Sequence, residues 1–223
     1  MSTSNWQNIS YNIDIIKRLD PKSILDVGVG FGRWGILFRE FLEVWGDNNI
    51  TGEWKRVIDG VEIFPDYIKS YHKFFYDNIY IEDAYKFVKE TRNRYELINC
   101  GDIIEHFEKK TALEFLDLCL KKSNYVLINI PIGPNWQQEG VNNNEYERHR
   151  SIWTVSEFKK YRHYLIKNFK DIEMRDFSVI LLSNNKIDLT SSYGKFFNAK
   201  NILKNKIRMG KVVSLIEKRN QNK

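Results

Sequence analysis

The sequence has few cysteines and no long apolar run, and both scarcities limit what the protein can be. Its 223 residues include only Cys100 and Cys119, which lie in apolar surroundings and lack the paired spacing of a zinc site. We therefore expect no disulfide framework, and both cysteines should be small buried residues. No segment approaches the ~18 uncharged apolar residues of a membrane span, and the first twenty residues lack the basic-then-apolar order of a signal peptide. These absences favour a cytoplasmic protein without a membrane span.

Basic charge is also scarce over most of the chain, although the formal net charge is +6. Residues 195–223 hold nine lysines and arginines and one acid, whereas residues 1–194 hold 26 basic and 28 acidic residues. The body is therefore slightly acidic, and the basic C-terminal segment is the part suited to meeting phosphate. Charge alone gives nucleic acid only a secondary place among the expected partners.

Apolar runs alternate with segments of helical spacing, which is the pattern of a parallel sheet covered by helices on both faces. A chain of this length with 42% apolar residues suits a single domain, residues 1–223. An N-terminal helix is expected within residues 1–20, ending before Asp20-Pro21. Runs bounded by turn residues predict strands at 23–28, 57–63, 78–83, 95–102 and 124–131.

The chain beyond Pro131 is less regular. A long irregular segment, 132–153, precedes a helix predicted from about Thr154 to Asn168, with Thr154 as N-cap and Glu157 as its capping-box partner. Residues 171–185 predict one long strand or two short ones. The C-terminal segment predicts a helix followed by a strand.

A glycine-rich turn joins the first predicted strand to the helix that follows it. "LDVGVGFGRWG" (25–35) carries Gly28, Gly30 and Gly32, which permit tight turns and let the backbone approach a ligand at a helix N-terminus. The glycines also satisfy the dinucleotide pattern G-x-G-x-x-G, which alone is a weak signal. Asp26, at the strand end, would repel a pyrophosphate and favour a ligand with an ammonium and a sulfonium, such as S-adenosylmethionine.

Four motifs in order make the chain resemble the class I S-adenosylmethionine-dependent methyltransferases over roughly residues 10–185. The family's acid and glycine loop match 26–32; its ribose-binding acid after the second strand matches Glu62; its adenine-side acid matches Asp83-Ala84; and its fourth motif matches "CGDIIEHFEK" (100–109). Each match also has a local explanation, such as a helix cap at Asp83. Four independent local roles at strand ends that face one cleft explain the pattern less well than one shared ligand site.

The resemblance implies an α/β fold, with a doubly wound, mostly parallel, seven-stranded sheet and helices on both faces. It also implies S-adenosyl-L-methionine as the cofactor. The residues that would hold the cofactor are Asp26, Gly28, Gly30, Gly32, Glu62, Asp83, Ala84 and Asp102.

Two histidines fall at the same predicted edge of the sheet. His106 follows the fourth strand, and His149 lies in "NNNEYERHRSIW" (142–153) after the fifth. Methyl transfer to a hydroxyl needs a positioned nucleophile and a base, and neutral imidazole suits that role at cytosolic pH. His106, His149 and Glu105 are therefore the catalytic candidates, although His106 can also serve only to shape the pocket.

Residues 132–153 predict a lid on the substrate side, since a merely solvated loop gains nothing from so many aromatic and apolar side chains. The expected acceptor contacts are Asn144, Glu147, Arg148 and Trp153. The pattern around them also looks like a segment of bacterial methyltransferases near glycan-assembly enzymes. The favoured acceptor is therefore a small molecule or carbohydrate, methylated through a hydroxyl, with no metal.

Two other functions fit the same residues. The chain also resembles small-RNA 3′-terminal ribose 2′-O-methyltransferases, which implies a divalent metal held by Asp102, Glu105, His106 and His149, although aspartate replaces that family's first glutamate. A non-catalytic S-adenosylmethionine-binding module, with the basic tail as a contact surface, is the third. The sequence leaves the acceptor, the methylated atom and the oligomeric state open.

Overall fold

The computed structural model describes residues 5–49, 51–141 and 144–189. The chain divides after Ile187, and every element named below belongs to the unit Met1–Ile187. Beyond Ile187 only two residues are described, so the predicted C-terminal helix and strand and the basic segment 195–223 lie outside the described residues. The single-domain interpretation of 1–223 stays a prediction.

Strands and helices alternate through the described part of the chain. The strands are β1 (Ser23–Val27), β2 (Val57–Glu62), β3 (Asn78–Ile81), β4 (Tyr95–Gly101), β5 (Ser123–Pro131), β6 (His163–Lys170) and β7 (Asp176–Ser183). The helices are α1 (Ile9–Leu19), α2 (Arg33–Phe38, continued by a π-helical stretch over Arg39–Val44), α3 (His72–Phe75), α4 (Ala84–Glu90) and α5 (Lys109–Lys122). Short 3₁₀ turns lie at Pro65–Tyr67, Ile104–His106, Glu145–Glu147 and Val155–Phe158.

The strands form one sheet in the order β3-β2-β1-β4-β5-β7-β6. Strands β1 to β5 pair in parallel, and β7 runs antiparallel to both β5 and β6. The chain moves outward from β1 to β3 and then restarts at β4 on the other side of β1. This reversal leaves a crevice at the C-terminal ends of β1 and β4, where open α/β sheets bind ligands. The predicted seven-stranded, mostly parallel sheet is confirmed.

Both faces of the central sheet are covered. Successive strand residues point to opposite faces, and all of Ile24–Val27 in β1, Leu97–Cys100 in β4 and Val126–Pro131 in β5 are buried. Helix α5 packs its buried Phe115 and Leu116 into this core. The runs of apolar residues that predicted these strands are therefore the signature of two-sided burial.

The helix predicted from Thr154 to Asn168 is wrong. The capping box is present, since the Glu157 carboxylate accepts from the Thr154 backbone N–H at 2.7 Å, but it opens only the four-residue 3₁₀ turn. Residues 163–170 form strand β6, paired with β7 along its whole length. Partners further along the chain therefore overrode the local helical signal.

The sequence also predicted two buried, unpaired cysteines and no membrane-spanning segment. Cys100 and Cys119 are free thiols and both are buried, as expected. Within the described ranges, no helix combines the length and apolar character that crossing a bilayer demands.

Candidate active site at the C-terminal edge of the sheet

The turn after β1 needs its glycines. Gly28, Gly30 and Gly32 have φ angles of +74°, +50° and +86°, which side-chain-bearing residues rarely adopt. A Cβ on Gly28 would also lie 2.1 Å from Cδ1 of Ile103, in the loop after β4. The turn therefore brings bare backbone to the crevice between β1 and β4.

Glu62, the last residue of β2, holds this turn in place. Its Oε2 accepts from the Gly30 N–H and its Oε1 from the Phe64 N–H, each at 2.9 Å. The side chain is largely buried, and this burial raises the pKa of Glu62 while the two N–H donors lower it. The carboxylate also faces the cavity described below, so it can meet a ligand there.

Asp83 and Ala84 follow β3 and line the same cavity. Asp83 is the N-cap of α4, with its Oδ1 accepting from the Lys86 N–H at 2.9 Å. The local explanation of this residue is therefore correct, and it does not conflict with a place in the site.

Asp26 is not at the cavity surface. Its carboxylate is fully buried beneath the glycine turn, where Oδ2 accepts from the Tyr76 hydroxyl at 2.6 Å and Oδ1 from the Asn99 amide at 2.8 Å. The Tyr76 oxygen in turn accepts from the Gly35 N–H in α2 at 3.1 Å. Asp26 thus ties β1 to β4 and to the start of α2, and any effect on a ligand passes through the turn above it.

The burial of Asp26 leads to a pH prediction. Desolvation raises the pKa of Asp26 from 3.8 to about 7, against the hydrogen bonds from Tyr76 and Asn99, which lower it; the charge of Glu62 raises it further. The folded protein therefore binds this proton more tightly than the unfolded chain, and stability falls as pH rises through this window. Between about pH 5 and pH 8, the free energy of unfolding of the wild-type protein should fall by an amount on the order of 2–3 kcal/mol because of Asp26. We expect this fall to be absent in Asp26→Asn.

Urea unfolding of wild type and variant at both pH values measures the effect. Asp14→Asn, at an exposed position of α1, is the matched control and should retain the wild-type pH dependence. Parallel pH dependences for wild type and Asp26→Asn would contradict the prediction.

One cavity of about 490 Å³ joins the predicted residues at this edge. This volume lies in the range typical of small-molecule sites. At one end are the glycine turn, Glu62 and Asp83. At the other end the cavity reaches the loops after β4 and β5. The predicted residues that line it are Gly28, Gly30, Glu62, Asp83, Ala84, Asp102, Glu105, His106, Asn144, Glu147 and His149.

The two histidine rings contact one another, edge to face, at the far end of the cavity. Their ring centroids are 5.0 Å apart, with an interplanar angle of 68°. Nδ1 of His106 lies 3.1 Å from the Arg148 carbonyl, and Nδ1 of His149 contacts the Trp136 carbonyl. Because a carbonyl only accepts, both Nδ1 atoms are assigned as N–H donors, which leaves each Nε2 as the basic nitrogen.

Both imidazoles are suited to the neutral state. Burial lowers the pKa of His106 below the ordinary histidine value. Burial also lowers the pKa of His149, and the neighbouring His106 adds to that effect. At neutral pH each ring can therefore accept a proton through Nε2.

Two buried glutamates complete the far end. Burial, and then the charge of Asp102, raises the pKa of Glu105 well above its usual range, and its Oε2 has no hydrogen-bond partner among the described residues. Glu147 accepts from the Tyr67 hydroxyl at 2.8 Å, which links the 3₁₀ turn after β5 to the one after β2. Asn144 begins the former turn by accepting from the Tyr146 N–H.

Besides the buried Asp26, three predicted residues lie away from the cavity. Gly32 shapes the turn but does not line the cavity. The Arg148 side chain does not line the cavity either and pairs with Glu139 and Glu145. Trp153 is buried in the core and stacks on Phe158 at 5.2 Å. Trp153 is therefore explained by packing, and the contact predicted with an acceptor has no support at this cavity.

Several lining residues were not predicted. They include Arg33, Tyr67, Trp136, Gln138 and Arg150. Three of these lie in the irregular 132–153 segment. Its position after β5 predicted that the segment borders the site, but not which of its residues line the cavity. Tyr67 gave no signal, because it reaches the site only through a turn opened by Pro65.

Glu105, His106 and His149 also form a cluster with the composition of a metal site. One ligand atom from each of the three residues lies within 4.8 Å of the others. Carboxylate and imidazole together suit a divalent transition metal. Three of the four residues in the metal-dependent alternative are thus brought together.

The comparisons with known proteins bear on the fold. No family model matches the chain, and no curated protein matches its sequence. Among solved structures, a SAM-dependent methyltransferase from Archaeoglobus fulgidus aligns over 79% of this chain and 91% of its own, with 17% identity and a TM-score of 0.56. An O-methyltransferase family protein from Burkholderia thailandensis aligns over 82% and 57%, with 8% identity and a TM-score of 0.54.

The small RNA methyltransferase HEN1 is also similar, over 84% of this chain and 27% of its own, with 15% identity and a TM-score of 0.50. At such identities the likeness establishes the fold. The chain has the Rossmann-like fold of the class I S-adenosylmethionine-dependent methyltransferases, as the motifs predicted.

Proposed function

We propose that this protein is an S-adenosylmethionine-dependent methyltransferase that methylates a hydroxyl of a small-molecule or carbohydrate acceptor. The observation that carries the proposal is the cavity of about 490 Å³, which joins the glycine turn and Glu62 to two histidines whose pKa values are lowered by burial. One end is built to hold a nucleoside, and the other to take a proton.

The cofactor end uses backbone and carboxylates. Gly28 and Gly30 leave room for a close ligand, Glu62 is placed to accept from ribose hydroxyls, and Asp83 to accept near the adenine. Asp102, after β4, would face the amino-acid part. When bound, S-adenosylmethionine supplies an electrophilic methyl group on its sulfonium. Asp26 contributes through the turn it anchors rather than by contact.

The acceptor end uses the histidines to remove a proton and buried oxygens to orient the acceptor. His149 or His106 can take the hydroxyl proton on Nε2 as the new bond forms. Oε2 of Glu105 needs a partner, and an acceptor hydroxyl provides one. Asn144 and Glu147 add polar contacts from the 3₁₀ turn after β5.

The charge of the lining favours a hydroxyl-rich acceptor over a phosphate-rich one. The cavity is lined by two basic side chains, Arg33 and Arg150, apart from the histidines. Against them stand six acids, Glu62, Asp83, Asp102, Glu105, Glu108 and Glu147. Such an excess repels polyanions unless a cation screens it.

A metal would provide that screening, so the cluster of Glu105, His106 and His149 keeps one alternative in place. A divalent ion there would suit the terminal ribose of an RNA 3′ end, and the basic C-terminal segment would add attraction for phosphate. A non-catalytic binding module is the remaining alternative.

Calorimetry and a methyl-transfer assay separate these functions. We expect one-to-one binding of S-adenosylhomocysteine, and transfer to carbohydrate or small-molecule pools that persists in EDTA. Transfer to RNA 3′ ends that requires Mn²⁺ or Mg²⁺ would replace the proposal with the alternative. Cofactor binding without turnover on either pool would favour the module, and absence of cofactor binding would overturn all three.

A further inference from the structure

A second, smaller cavity lies directly beside the acceptor end of the first. It measures about 230 Å³ and shares Pro131, Trp136, Gln138, His149 and Arg150 with the main cavity. An acceptor held at the histidines would therefore have room to extend past them. The proposed function does not use this space.

The walls of the second cavity are held by contacts outside it. The Trp136 Nε1–H donates to the Asp176 carbonyl at 2.7 Å, and the Arg175 guanidinium lies 4.1 Å from the Trp136 ring centroid. Trp153, which belongs to the core, also lines this cavity, and the Trp153 carbonyl accepts from the Gly133 N–H at 2.9 Å. The pocket is thus formed by side chains and backbone with their own anchors.

Arg150 stands at the boundary between the two cavities. Its N–H donates to the Glu105 carbonyl at 2.8 Å, which fixes the backbone from which the side chain extends. Among the described residues the guanidinium makes no ion pair or hydrogen bond. Glu139, the acid that lines the second cavity, is instead paired with Arg148. Arg150 therefore lines both cavities with a guanidinium that has no ion-pair partner among the described residues.

We propose that the second cavity is a subsite for an anionic group of the acceptor, bound by Arg150. This proposal rests on the proposed function, because it assumes that the same acceptor presents its hydroxyl to the histidines. A guanidinium binds carboxylate or phosphate oxygens through two parallel N–H donors, and Gln137, which also lines this cavity, carries a further amide donor. The acceptor is then a hydroxylated molecule that carries one oxyanion, kept apart from the acidic main cavity.

The test reads Arg150 directly, without a known acceptor. The full-length ¹⁵N-labelled protein is titrated with acetate and, separately, with inorganic phosphate at constant ionic strength, with and without S-adenosylhomocysteine. We expect saturable shifts of the Arg150 Nε–H signal, assigned by its loss in Arg150→Gln, and of the Gly133 and Ile152 amides. A stronger response to acetate indicates a carboxylate, and a stronger response to phosphate a phosphoryl group.

In Arg150→Gln the Gly133 and Ile152 responses should weaken about tenfold or vanish. Arg162→Gln, at an exposed position outside both cavities, should leave them unchanged. Linear, non-saturating shifts at Arg150 that match those of Arg162 would overturn the subsite. Failure of the protein to bind S-adenosylhomocysteine would overturn the proposed function but not this result, since the titration also runs without the cofactor.

Discussion

Glu62→Ala should weaken S-adenosylhomocysteine binding about 100-fold while the protein stays folded. The Glu62 carboxylate makes two charge-assisted hydrogen bonds, to the N–H groups of Gly30 and Phe64, and it also faces the cavity. Each such bond contributes about 1.5–3 kcal/mol, and a loss of about 2.7 kcal/mol corresponds to the expected change. Calorimetric titration measures it, with circular dichroism as the check on folding.

Glu82→Ala is the matched control for this variant. Glu82 follows β3, pairs with Lys86 near the surface and does not line the cavity. Its loss should leave affinity unchanged. An affinity within a factor of about three of wild type for Glu62→Ala would mean that the carboxylate does not contact the ligand.

His149→Ala should lower turnover about 10²- to 10⁴-fold, with little change in affinity for S-adenosylhomocysteine. The loss follows from removing a neutral Nε2 beside the acceptor, since that atom takes the proton in the proposed reaction. Methyl-transfer rates at saturating cofactor, together with calorimetry, separate the two effects. His106→Ala is measured in parallel. The variant with the larger loss of rate identifies the ring that acts as the base.

His163→Ala is the control, since His163 lies on strand β6 and outside the cavity. Its turnover should equal that of wild type. Unchanged turnover in both His149→Ala and His106→Ala would remove the histidine pair from the mechanism.

The fold was predictable where burial on both faces left a continuous apolar run. Strands β1, β2, β4 and β5 are buried in this way. The edge strand β3 is only partly buried, and the predicted bounds of all five strands agree with the structure within two residues. Strand β6, at the opposite edge of the sheet, has no such run, because the exposed Lys167 and Lys170 interrupt it. Its partner, β7, comes later in the chain, so the residues 154–168 by themselves could not predict the pairing.

The strand ends that form the site could be predicted from the sequence, but the burial of each residue at those ends could not. Motif order placed Glu62 and Asp83 at one crevice, and the structure shows both there. The burial of Asp26 depends on Tyr76, fifty residues away and outside every motif, so spacing could not reveal it. In the same way, the stacking of Trp153 on Phe158 was hidden within a stretch rich in polar residues.

The Glu105 carbonyl accepts the N–H groups of both Arg150 and Ser151, so the acceptor-side wall is attached to the 3₁₀ turn after β4 in the protein alone. His149, the proposed base, lies next to this attachment, and its own N–H donates to the Gln138 carbonyl. A wall assembled in advance requires no hinge to close over the first molecule that enters. If the proposed function holds, we expect cofactor and acceptor to bind in either order, because neither is needed to create the binding surface of the other.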